Sequence, residues 1–483
     1  MTGWAGAAFP RRAAAVGARP YGGAMRRAAV AVLCLTQFVD VLGVTSATTA
    51  IPAILAGLGA DEAAAGPLAT TYAMFFGGLL VVGARLGDRY GHRRVLAVGL
   101  VAFMAVSLVG GLAGSVPQVL AARALQGAAA AMSVPSALRL LLHVAPGEEE
   151  RRTALAAWSA AGAAAGAAGF VVGGLLVDAW GWRAVFWVNA PVGAALLIAL
   201  LSTVPALPRG GDRPRVDLVG AALLLVAVTC VVAGAARAEQ GGARGTALGA
   251  AAGLAACGLV AGAGFVLRVR RARDPLIPLA AVRSVELRHG TVLSFVNTAT
   301  TSSAGVVATL VLQDDLGQSA LGAGTTLLTL SVLVVVGSTA AKPLLGRLAP
   351  RYAAAAGLAA IAAGDLVLVL AGDTRLGIAC GAGVLGLGLG VASVAATHLG
   401  TTVPASLAGS ASGVLNTGAQ LGTAIGTALV VLVAAAVSPA WGWGSAAALA
   451  AVTATWVAWS ARRAAGRRPT GVSPGAAPGR ASR

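Results

Sequence analysis

Apolar residues in this chain gather in long runs, and short stretches rich in arginine, proline or acid separate one run from the next. The runs lie near 29–55, 66–84, 95–114, 117–142, 154–177, 184–204, 217–235, 246–267, 290–312, 322–341, 352–371, 376–398, 409–437 and 441–461. At ~1.5 Å rise per helical residue, a run of about 20 crosses the ~30 Å of bilayer hydrocarbon. The pattern predicts fourteen transmembrane helices.

Composition agrees with the pattern. A chain with 57% hydrophobic and 11% charged residues and a mean hydropathy of +0.83 is too apolar for a soluble globular protein. It reads as an all-α polytopic membrane protein embedded in a lipid bilayer. Cys34, Cys230, Cys257 and Cys380 all fall inside apolar runs and read as packing residues. His92, His143, His289 and His398 are scattered without ligand spacing, so no metal site is expected. The Gly-x-x-x-x-Gly-Lys-Ser/Thr loop and other enzyme motifs are missing, which points away from ATP-driven transport, catalysis and cofactors.

Charge sets the topology, because cytoplasmic loops collect Lys and Arg. With the amino terminus inside, fourteen spans put thirty of the 35 Lys and Arg in cytoplasmic segments. Only Arg183, Arg237, Arg244 and Arg375 fall outside, and Arg123 falls within the membrane. Adding or losing one span would destroy this asymmetry, so both termini are expected in the cytoplasm. The net charge of +18 is then topological and calls for no nucleic-acid partner. Residues 1–28, with five arginines and two prolines, read as a mobile cytoplasmic tail, neither signal peptide nor span.

The chain also repeats itself. Arg89-Tyr90 and Arg351-Tyr352 stand 262 residues apart in corresponding loops. Gly162, Gly166, Gly169 and Gly173 in the fifth run form small-xxx-small pairs, and Gly409 with Gly413 and Gly418, Gly422 and Gly426 repeat them in the thirteenth. This predicts a six-helix bundle over 29–204, two linker helices with basic loops over 205–289, a second bundle over 290–461 and a cytoplasmic tail over 462–483.

Arg123 is the outstanding charge, since an isolated arginine at mid-membrane costs at least ~2.5–3.5 kcal/mol. Asp40, the only acid in the first run, is its natural partner. By helical rise, Asp40 lies ~16 Å and Arg123 ~21 Å from the inner face, so the two can meet. A carboxylate beside an arginine that can leave it would take up and release a proton. Gln37 and Gln126, each about one turn away, can complete a polar network. The alternative is that Arg123 bonds only backbone and glutamine oxygens and fixes helix packing.

The loop at 83–94 resembles the signature between the second and third helices of the major facilitator superfamily, through Leu86, Asp88, Arg89, Gly91, Arg93 and Arg94, with Ala84 where a glycine is usual. Arg123, Gln126 and Gly127 resemble that family's Arg-x-x-Gln-Gly motif. Trp182-Arg183, Phe186, Asn189 and Pro191, Asp217-Leu218 with Gly220, Asp274-Pro275-Leu276, Gln313 with Gly317 and Ser319, and Gly409 to Gly413 with Asn416 are similar to stretches of its fourteen-helix drug:proton antiporters. The sequence departs from the pattern elsewhere as well, and Thr48 stands where an asparagine is common. Gly43 stands where the first span usually carries its acid, three residues after Asp40, and Gly169-Phe170-Val171-Val172-Gly173-Gly174 lacks the usual proline.

The resemblance implies a monomeric plasma-membrane transporter, of bacterial inner-membrane type, that couples protons to export of small lipophilic compounds by alternating access. In it Asp40, Arg123 and Gln126 would couple the proton. Asp88, Arg89, Gly91, Arg93 and Arg94 would form a clasp between the bundles, unless they are simply a solvated basic turn. Gln37, Asn297, Thr301, Asp365 and Asn416 are candidate substrate-pathway residues, although hydroxyls in membrane helices often bond their own backbone. Gly162, Gly166, Gly169, Gly173 and Gly174 would pack helices. With so few membrane acids, neutral or mildly amphipathic substrates are expected. A solute importer or proton symporter on the same fold, and more distantly a non-transporting sensor, are the rival readings. Trp441 and Trp443 are expected as outer, and Trp456 and Trp459 as inner, interface anchors.

Overall fold

The computed structural model describes residues 23–205, 217–241, 245–272, 274–277, 283–402 and 408–466. Among them are fourteen helices of 15 residues or more and no strand. These are α1 (Gly23–Thr49), α2 (Ala65–Tyr90), α3 (His92–Gly111), α4 (Val116–Val144), α5 (Glu148–Trp180), α6 (Asn189–Thr203), α7 (Leu218–Gly241), α8 (Gly245–Arg271), α9 (Val285–Leu310), α10 (Ala320–Arg347), α11 (Pro350–Ala371), α12 (Arg375–Thr401), α13 (Ala408–Ala436) and α14 (Pro439–Gly466). Thirteen segments are long and apolar enough to span a membrane. The exception, α14, is 28 residues long, but its Trp, Gly and Ser residues dilute its hydropathy.

Each apolar run is helical, but the first and sixth are each split in two, and the ends differ where polar residues continue a helix. Residues 23–28, expected in the tail, form the first turns of α1, and Arg26 pairs there with Glu150. The first run does not stay one helix to residue 55. It breaks at Ala50, and Ile51–Leu58 forms a separate helix with Pro52 in its first turn and Gly59 at φ 59° ending it. The sixth run is likewise split into Ala184–Trp187 and α6.

The two halves pack by one plan. In the first, α1 lies on α5, α2 on α4, and α3 on α4; in the second, α9 lies on α13, α10 on α12, and α11 on α12. Gly83 of α2 seats against the Ala131 carbonyl of α4, and Gly337 of α10 seats in the same way against that of Leu387 of α12. A side chain at either position would collide with backbone, so these crossings need glycine.

The halves meet along two seams, α2 with α13 and α5 with α10. The pair α7–α8 lies outside the first seam, with α7 packed on both α2 and α13. Asp217 pins this pair. Its buried carboxylate accepts from Gly220 N at 3.0 Å, Arg268 Nε at 3.1 Å and Leu276 N at 3.3 Å.

Trp443 corrects an expectation. It is 2% exposed, donates to the Ala304 carbonyl at 3.4 Å and fills the space beside Gly372, while Trp441 is 65% exposed. An indole packs wherever a groove and an acceptor are both available, whatever its depth.

Candidate functional site

The α1–α2–α4 contact brings a charged cluster into the core of the first half. Asp40 on α1, Tyr72 on α2 and Arg123 and Gln126 on α4 are all buried. The Tyr72 hydroxyl donates to Asp40 Oδ1, and the Arg123 guanidinium carbon stands 4.7 Å from the centre of the Tyr72 ring. Asp40 and Arg123 therefore do not form the direct ion pair expected from sequence: the tyrosine lies between them. Arg123 donates to Gln126 Oε1 at 3.4 Å, and Gln126 Nε2 donates to Ser107 Oγ of α3 at 2.8 Å. Arg123 Nε and Gln37 Oε1 are buried without a partner. In a desolvated site a cation over an aromatic face is worth ~2 kcal/mol or more, which offsets much of the burial of Arg123.

Small residues let these helices approach. Gly127 of α4 sits against the Tyr72 carbonyl. A Cβ at Gly173 would lie 2.6 Å from Ser46 Cα of α1, and Gly169, whose carbonyl accepts from Ser46 Oγ at 3.1 Å, meets Thr45. Gly162 lies beside Gln37. Gly166 accepts from Ser331 Oγ of α10 at 2.9 Å, and a Cβ at Gly174 would lie 2.5 Å from the Ala320 carbonyl. The fifth-helix glycines thus pack α5 against α1 on one face and against α10 on another.

Hydrogen bonds between the halves, among the described residues, run from mid-bundle to the end opposite the arginine-rich loops. Besides Gly166–Ser331, Gln313 Nε2 donates to the Thr49 carbonyl at 3.0 Å. Asp178, at the end of α5, accepts from Ala320 N and Leu321 N, both at 3.1 Å. Ser319 Oγ accepts from Gly322 N at 3.1 Å, so the first three amides of α10 are all satisfied, two of them by the other half.

At the arginine-rich end Asp88 stays within the first half. His92 Nε2 lies 3.1 Å from its Oδ1, and Arg139 lies 3.8 Å away. Arg93 donates to the Leu201 carbonyl at 2.6 Å, Arg89 stands over the Tyr90 ring, and Gly91 turns the chain at φ 95°. Arg94 lines a shallow surface hollow with Leu86 and Met132. In this conformation the segment organises α2, α3, α4 and α6 and, among the described residues, does not bridge the halves.

In the second half, a cavity of about 240 Å³ lies between α9, α12 and α13, lined by Ser294, Asn297, Thr298, Ser393, Thr397, Leu415, Asn416 and Ala419. No lining residue is charged. Asn297 Nδ2 donates to Ser393 Oγ at 2.7 Å, while its Oδ1 has no partner. Of the expected pathway residues, Asn297 and Asn416 line this cavity, whereas Thr301 bonds the Asn297 carbonyl of its own helix and does not. Asp365 is fully enclosed, with both carboxyl oxygens unpartnered, and does not line this cavity. Among the described residues no group of His, Cys, Asp and Glu is arranged to hold a metal.

Sequence reasoning missed Tyr72, Ser107 and Asp178. A signal for Tyr72 was present: it is the only one of four tyrosines that lies well inside an apolar run.

The sequence profile described as Major Facilitator Superfamily matches residues 33–286. The chain is 35% identical over 393 residues to the tetracenomycin C resistance and export protein of Streptomyces glaucescens, covering 80% of this chain and 72% of that one. It is 34% identical over 434 residues to the probable actinorhodin transporter of Streptomyces coelicolor, covering 86% and 73%. The fold is similar to that of the POT-family transporter PepTSo, with a TM-score of 0.65 at 14% identity over 91% of this chain and 99% of that chain. Long apolar helices, the paired halves and these relatives together establish that the chain belongs to the Major Facilitator Superfamily, in its drug- and antibiotic-exporting branch, and is a multi-pass plasma-membrane protein.

Proposed function

We propose that this protein is a proton-driven secondary exporter of small lipophilic compounds, working by alternating access between its two halves. The observation that carries the reading is the buried Asp40–Tyr72–Arg123 cluster, an acid and a cation held in apolar surroundings beside the seam between halves. Ionisable groups at membrane depth are expensive and mark ion pathways. Each proton moving inward gains ~2.3 kcal/mol per 100 mV, enough to concentrate a substrate at least tenfold outward.

The bundles are 29–204 and 290–461, α7–α8 is the insert, and fourteen spans put the arginine-rich end and both termini in the cytoplasm. Since the inter-half hydrogen bonds lie toward the other end, the conformation is inward-facing. The uncharged wall of the second-half cavity suits neutral, hydrogen-bonding compounds such as antibiotics, with Asn297 and Asn416 as polar lining residues. The loop from Asp88 to Arg94 would clasp the second half only once the cytoplasmic side closes. The protein acts as a monomer, needs no cofactor and has no nucleic-acid partner.

The test is export of a panel of neutral and cationic compounds from cells expressing wild type or Asp40→Asn, with and without dissipation of the proton gradient. Wild type should lower accumulation of neutral compounds in a gradient-dependent way, and the variant should not. Unchanged gradient-driven export by Asp40→Asn would refute the coupling assignment.

A further inference from the structure

Tyr72 touches both charged members of the cluster through different parts of one side chain. Its O–H donates to Asp40 Oδ1, and its ring face carries the Arg123 guanidinium at 4.7 Å. The side chain is 1% exposed, held by Phe76 with ring centroids 5.9 Å apart and by Ala130, Ala131 and Val134 of α4. Asp40 has no other side-chain hydrogen bond, and Arg123 has no ion pair, among the described residues. The tyrosine is therefore the one side chain in direct contact with both charges among the described residues.

We infer that Tyr72 is the positioning residue that transmits the protonation of Asp40 to Arg123. This deepens the proton-exporter reading and rests on it for its place in transport. The chemistry follows from hydrogen-bond polarity. While Asp40 is a carboxylate it can only accept, so the tyrosine donates, and electron density shifts toward the phenol oxygen and ring. That makes the ring face more negative and strengthens its hold on the guanidinium. When Asp40 gains a proton it is a weaker acceptor and can itself donate, so the tyrosine either donates less strongly or turns acceptor. The ring then loses density, the cation is held less strongly, and Arg123, whose Nε is already unpartnered, is released toward other acceptors. No proton needs to leave the tyrosine.

The groups able to interfere are few. From α1 only Asp40, and from α4 only Arg123, present a charge to Tyr72. Ser107 and Phe103 of α3, Trp158 of α5 and Gln420 of α13 are the uncharged neighbours of this region. The insert faces the same helix through Thr229, whose hydroxyl lies 3.4 Å from Met74 Sδ.

The experiment is an infrared pH titration of the purified full-length protein, following the protonated-carboxyl band assigned by its loss in Asp40→Asn. Tyr72→Phe keeps the ring and removes the O–H. Without that donor the carboxylate loses its hydrogen bond and is harder to form, so the midpoint should move up by about one pH unit. Gradient-driven export by the same variant should show the same alkaline shift in its pH profile. Tyr72→Leu, which also removes the ring, should abolish the pH dependence of export. A midpoint in Tyr72→Phe unchanged from wild type would overturn the assignment. Should that variant not fold, the wild type answers alone. Its tyrosine C–O stretch should change with the same midpoint as the Asp40 band and stay constant in Asp40→Asn, and a C–O stretch indifferent to pH overturns the proposal. If the midpoint shifts but wild type exports nothing down the gradient, the exporter reading fails while the Asp40–Tyr72 linkage stands.

Discussion

Asp178 joins the halves at the end away from the arginine-rich loops, and removing its carboxylate should shift the balance of conformations. The side chain accepts from two amides at the start of α10, each at 3.1 Å, where the helix dipole also favours a negative charge. Charge-assisted hydrogen bonds contribute ~1.5–3 kcal/mol each when buried, but Asp178 is exposed, and an exposed anion at a helix start contributes ~0.3–1 kcal/mol. A latch of about 1 kcal/mol is the upper end of that range, and its loss changes the ratio of the two states roughly fivefold. Asp178→Ala should therefore favour the state in which α5 and α10 separate at this end, and Asp178→Asn, which keeps one acceptor, should lie between it and wild type. Spin labels on exposed Trp180 and Leu376, one on each half, would report the distance distribution by double electron–electron resonance. If Asp178→Ala leaves that distribution unchanged while the protein is folded, the latch carries no conformational energy and the reasoning is wrong.

Gly83→Val should lower the thermal midpoint and the folded yield. Its side chain would meet the Ala131 carbonyl and Met132 Cα, 2.9 Å from the added Cβ, and such overpacking costs ~1–3 kcal/mol; an unchanged melting curve would contradict it. Asp217→Ala should destabilise by roughly 1–3 kcal/mol by leaving Gly220 N and Leu276 N without their acceptor, measured as loss of the thermal midpoint. Asp365→Leu should be neutral or stabilising and leave export of neutral compounds intact, because both oxygens it removes are buried and unpartnered. A marked fall in stability or export would show that this carboxyl has a partner in another state.

The helices were legible because bilayer thickness imposes run length, and run length is a one-dimensional signal. Gln126 was readable beside Arg123 for the same reason, since three residues on a helix share a face. Tyr72 stood out in its apolar run, but its pairing with Asp40 was not readable, because the two lie 32 residues apart and only the crossing of α1 and α2 brings them together. Asp178 reads in sequence as an acid in a turn between apolar runs, and its acceptors' donors begin 142 residues later. Trp443 shows the converse error: depth along a helix fixes which interface a residue is near, but the azimuth decides whether it faces lipid or core.

The insert has a consequence for the symmetry of the molecule. Among the described residues α7 packs on both α2 and α13 and so backs one seam, whereas the insert has no comparable packing on the α5–α10 seam. The two flanks of a molecule built from two like halves are therefore unlike.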